Sequence, residues 1–142
     1  MNSYYTTEID EAIAAGRRAV QALNRAESAL NGARSFGIWD MFGGGFISGM
    51  LKHSKMDEAQ QELENAQREL ARFKKELADV QMTGRINIRF DGLVQFIDLF
   101  CDNVLVDMMV QSRIKNMLNH LQETKRQVED TVHRLERYKL GG

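Results

Sequence analysis

The chain contains no proline. Average usage would place about seven in a chain of this length, and proline interrupts helices more severely than any other residue. Its absence fits a protein that is nearly all helix with few tight loops. Cysteine is almost as scarce. Cys101 stands alone, which excludes an intramolecular disulfide framework and a multi-cysteine metal site and fits a reducing cytoplasm. Neither sign of charge is in excess. The net charge is −1, so no overall basic field draws a phosphate backbone, and no nucleic-acid partner is expected. No uncharged apolar run reaches the roughly eighteen residues that span a bilayer. The first eight residues have neither the basic nor the apolar region of a secretion signal. The expected address is the cytoplasm.

What is present is helical periodicity. Apolar residues make up 43% and charged residues 27% of 142, a balance that suits one folded domain with a modest core rather than disorder. From Thr7, a plausible cap with Asp10 three residues on, Ile9, Ala12, Gly16, Ala19, Leu23, Ala26, Leu30 and Ala33 recur at spacings of three and four. That is a coiled-coil seam, and it predicts a helix over about 7–34. Alanines and Gly16 on the seam should let a neighbouring helix approach closely, while Ile13 and Val20 widen the stripe toward a second neighbour.

Ser54 reads as the cap of a second helix over about 54–82. Met56, Ala59, Leu63, Ala66, Leu70, Phe73, Leu77 and Val80 form its seam, flanked by Glu62, Glu69 and Glu76. Such flanks set pairing and orientation. A third stretch runs from about 91 to 139. Its second half carries Ile114, Leu118, Leu121, Val128, Val132 and Leu135 in seam register; its first half, 93–110, is apolar on nearly every side. An unbroken helix of that length would reach ~70 Å, against ~40 Å for each of the other two. It must overhang them or break near 101–103 and fold back. The expected fold is therefore an all-α, antiparallel three-helix coiled-coil bundle in a single domain, its third helix long or broken.

Two connectors are unusual. Residues 35–53 enclose a glycine-rich and aromatic segment, and 83–90 alternate Ile86, Ile88 and Phe90 with polar residues, the period of an extended linker or short strand. The Gly43-Gly44-Gly45 run lacks the Gly-Lys-Ser/Thr ending of a phosphate loop and no strand precedes it, so a turn is the better reading. The apolar connector reads as a plug at the bundle end or as a contact surface for a partner. A membrane surface is the weaker version, since Asp40 interrupts the segment and few positive charges flank it.

Candidate chemistry is thin. His53, His120 and His133 are too far apart to share a metal, and Asp98 with Asp102, Asp91 or Asp107 lacks the Glu-x-x-His pair of bundle metal sites. No metal or cofactor is expected. Cys101 reads as a small core hydrophobe, and Arg17, Arg18 and Arg25 read as a solvated face diluted by Glu11 and Glu27. With no nucleophile, base and orienting group to place together, an enzyme is not expected.

The segments Ala-Ile-Ala-Ala-Gly-Arg-Arg-Ala (12–19), Gly-Ile-Trp-Asp-Met-Phe-Gly-Gly-Gly (37–45) and Lys-His-Ser-Lys-Met-Asp (52–57) resemble uncharacterised bacterial coiled-coil proteins of unknown function. That resemblance implies no activity. The leading expectation is a non-enzymatic interaction or scaffold protein that self-associates, with a homodimer first and another protein partner second. Its candidate surface comprises Phe36, Ile38, Trp39, Met41, Phe42 and Phe46 in the connector with Phe96, Phe100, Leu105 and Met109 in the third stretch. The alternative is a peripheral membrane or stress-response protein docking through 36–51.

Overall fold

A computed structural model of the chain describes residues 3–35, 46–82, 90, 92–95, 97–98 and 111–141, with side-chain surroundings for 7–32, 57–82, 90, 92–95, 97–98 and 117–140. Every described element is helical: α1 (Ser3–Ser35), α2 (Phe46–Met82), α3 (Gln111–Gly141) and helical turns at 92–95 and 97–98. None of the described helices is long and apolar enough to cross a membrane.

Both helix starts lie upstream of the residues that read as caps. α1 begins at Ser3 and α2 at Phe46, so Thr7 and Ser54 are interior residues and the last eight residues of the expected 35–53 connector are helix. A capping hydroxyl contributes only about 1 kcal/mol. Nothing in 46–53 opposes propagation strongly: proline is absent, and Gly49 costs roughly 1 kcal/mol relative to alanine.

The seams themselves pack as their spacing requires. In α1, Ile9, Ala12, Ala19, Leu23, Ala26 and Leu30 are buried, and a second row, Ala15, Ala22 and Ala29, is buried with them. Two buried rows are what a helix with a neighbour on each side needs. α2 contributes Ala59, Leu63, Ala66, Leu70, Phe73, Leu77 and Val80, and α3 contributes Leu118, Leu121, Val128, Val132 and Leu135, to the same core. Gly16 marks the tightest point: a Cβ there would stand 2.4 Å from Val132 Cγ2 and 2.9 Å from Phe73 Cε1. Both neighbours thus pass α1 at one level, and only a missing side chain admits them. Two threonines interrupt the apolar seam of α3. The buried Thr124 and Thr131 hydroxyls donate to the carbonyls of His120 (2.8 Å) and Gln127 (2.9 Å), so neither is left unsatisfied.

Ion pairs fix the directions. Along α1 and α2, Arg18 meets Glu69 (3.8 Å) and Arg25 meets Glu62 (3.3 Å); rising numbers on one helix meet falling numbers on the other. Along α1 and α3, Asp10 meets Lys139 (2.6 Å), Arg17 meets Glu136, and Asn24 accepts from Lys125 (3.0 Å). Both neighbours of α1 therefore run opposite to it.

This register decides between overhang and fold-back. Asp98 pairs with Lys74 (2.7 Å), which the α1–α2 register sets level with about residue 13 of α1. Lys139 lies beside Asp10, almost the same level. An unbroken helix would hold Asp98 and Lys139 ~60 Å apart. Of the two expected arrangements of the third stretch, overhang and fold-back, the positions of Asp98 and Lys139 agree with fold-back. The proposed break point at 101–103 lies outside the described residues, as do Ile86 and Ile88 of the linker. Phe90 is described, buried in the core, its carbonyl accepting from the Val94 amide (2.8 Å).

Candidate functional site

Of the apolar surface expected from the sequence, Phe36, Ile38, Trp39, Met41, Phe42, Phe96, Phe100, Leu105 and Met109 lie outside the described residues. Phe46 opens α2, but its side chain lies outside them too. Beside these, Leu93 and Ile97 are buried and Val94 packs against the core. Asp98 is exposed and engaged with Lys74; Asp91, Asp102, Asp107 and Cys101 fall outside the described residues. His120 is half-buried, and burial holds its pKa below the ordinary histidine value. His133 is exposed, 3.4 Å from Glu136.

The arginines of α1 do more than line a solvated face. Arg18 and Arg25 reach across to Glu69 and Glu62 of α2, and Arg17 to Glu136 of α3. All three stay more than half exposed, so each pair is worth well under 1 kcal/mol on its own, but together they set register. On the α2 side the rungs repeat every seven residues. The next rung toward the start of α1 brings position 11 against position 76, and there both residues are glutamates.

That rung opens onto a group the sequence reading did not find. Carboxylate oxygens of Glu8, Glu76 and Asp79 lie within 4.8 Å of one another. Glu8 is buried with 9% of its surface exposed, and one oxygen of Glu76, Oε2, is closed to solvent with no hydrogen-bond partner. Burial first, then the negative charges of Glu11 and Asp79, push both the Glu8 and the Glu76 carboxyls above their usual range. Among the described residues no ion pair neutralises any of the four. The signal was available in the heptad row Glu62, Glu69, Glu76 with Arg25, Arg18 and Glu11; what it needed was the direction of pairing.

Comparison with protein-family models, with curated proteins and with solved structures finds no match.

Proposed function

We propose that the chain is a non-enzymatic interaction or scaffold protein of the cytoplasm, an antiparallel coiled-coil bundle that self-associates as a dimer. One observation supports this most directly. Among the described residues of 90–98, Phe90, Leu93 and Ile97 are buried, whereas Gln95 and Asp98 are exposed. Yet thirteen of the eighteen residues in 93–110 are apolar, more than one stripe can use, and surplus apolar surface on a folded domain marks interaction.

The contact surface of this reading is Phe96, Phe100, Leu105 and Met109, joined by Phe36, Ile38, Trp39, Met41, Phe42 and Phe46. A second copy is the partner proposed because a two-fold contact covers the same surplus on both chains and closes the assembly. Light scattering at tens of micromolar is expected to return a dimer, and a strict monomer rejects this reading. Leu105→Glu is expected to weaken the dimer at least about a hundredfold, since a buried unpaired charge costs about 3 kcal/mol or more. Flotation of the protein with anionic vesicles would instead favour the membrane-docking alternative.

A further inference from the structure

Three costs accumulate at the Glu8 end of the α1–α2 seam. Glu8 is buried without a hydrogen bond or ion pair among the described residues. Glu76 keeps an oxygen closed to water and unpartnered. Glu76 and Asp79 both sit in the last two turns of α2, where the free carbonyls of a helix C-terminus already make the potential negative. At the Arg25 rung, Glu62 Oε2 is likewise closed to water without a hydrogen bond, but a guanidinium stands 3.3 Å away to balance its charge; at this level α1 offers Glu11. Folding alone gains nothing from such an arrangement, and a buried polar group left unsatisfied calls for an occupant.

We propose that Glu8, Glu76 and Asp79 bind one hard divalent cation, Ca2+ foremost, with Glu11 alongside. Every donor is a carboxylate oxygen, the ligand type of Ca2+, Mg2+ and Mn2+; there is no imidazole or thiolate in the group to select zinc or copper. Oxygens that share a Ca2+ at about 2.3–2.6 Å stand no more than ~5 Å apart, and the three carboxylates already meet that limit. Ca2+ tolerates irregular, partly hydrated shells, whereas Mg2+ demands near-octahedral order. A groove of about 480 Å³ lined by Thr7, Asp10, Glu11, Ala14, Arg18 and Glu76 borders the cluster, a way in for a hydrated ion and room for water ligands. The ion takes the place that arginine fills at the two lower rungs. Burial first, then the neighbouring negative charges, raises the Glu8 and Glu76 carboxyls, which makes the proton the competing occupant.

The site lies within one chain, so its test is independent of self-association. Chelator-treated full-length protein is titrated at neutral pH with CaCl2, and in parallel with MgCl2, by calorimetry and by thermal unfolding. One Ca2+ per chain is expected, with a melting temperature raised by about 5 °C at ten times the dissociation constant. Glu76→Gln and Asp79→Asn are each expected to remove the shift; Glu129→Gln, an exposed acid on α3, keeps it. Glu76→Gln removes repulsion and retains the helical circular dichroism that certifies its fold. Absence of heat and of any shift up to about 10 mM Ca2+, the weak end of natural Ca2+ sites, overturns the proposal. So does a shift that survives in Glu76→Gln, which means an adventitious ion only, or stability that follows pH alone, which assigns the cluster to a shared proton.

Discussion

Along the α1–α2 seam, three rungs seven residues apart follow one geometry and two chemistries. At Arg25–Glu62 and Arg18–Glu69 opposite charges face each other at 3.3 and 3.8 Å. At Glu11–Glu76 like charges do, and Glu8 and Asp79 crowd the same place. The backbone register is shared, so the difference lies wholly in which side chain α1 presents. At the lower rungs α1 presents arginine, and the charge is settled within the chain. At the top rung it is not, and the balance is left to something from solution.

The strongest way to break the comparison is to disturb the register that all three rungs share. Gly16 lies between the like-charged rung and Arg18, at the point where Phe73 and Val132 close on α1. Gly16→Leu forces bulk into a space where even a Cβ clashes. It is expected to cost about 2–3 kcal/mol, the upper part of the usual overpacking range, read as a lower denaturant midpoint. Gly16→Ala should lose less, because the better helix propensity of alanine returns up to about 1 kcal/mol. Equal stability of Gly16→Leu and the parent would mean that the two neighbours can move apart freely and that the rungs do not share a fixed register.

Next in size is Glu11→Arg, which gives the top rung the chemistry of the other two. With the like charge replaced by a partner for Glu76, chelator-treated protein is expected to gain on the order of 1 kcal/mol, the upper end for a partly exposed pair. Ca2+ should no longer raise its melting temperature. A variant that gains stability yet responds to Ca2+ as before would separate the rung from the ion site.

These contrasts also show what was legible in the sequence. Ile9, Ala12, Leu23 and Leu30, the row from Ala59 to Val80, and Leu118 to Leu135 were all readable as core, because burial on a helix repeats with its own period and needs no knowledge of the partner. Helix starts were not, because Thr7 and Ser54 offer local preferences that propagation of the helix from upstream outweighs. The fold-back of the third stretch could be stated only as an alternative, since Asp98 and Lys139 become neighbours in level through α2 and α1, not through each other. The acidic group was missed for the same reason. Glu76 was visible as one of three flanking glutamates, but the identity of the residue opposite it depends on the direction and register of a second helix.

The smallest expected effect compares the two ends of the bundle through pH. Glu76 is raised by burial and by Glu8, Glu11 and Asp79, so the folded chain holds its proton more tightly than the unfolded chain does. Its contribution favours folding most fully below the ordinary carboxylate range and is lost as pH rises through the raised value. His120, near the other end of α1 by register, is lowered by burial. Its contribution is present above the ordinary histidine value and is lost as pH falls through the lowered one. Acidification from pH 7 toward 5 therefore strengthens one end while it weakens the other. In chelator-treated protein Glu76→Gln should melt above the parent at pH 7, and the gap should narrow steadily as pH falls. His120→Gln should instead flatten the acid side of the profile. A Glu76→Gln difference that stays constant with pH would show that the top rung is not charged at neutrality, and the contrast with the arginine rungs would be one of shape alone.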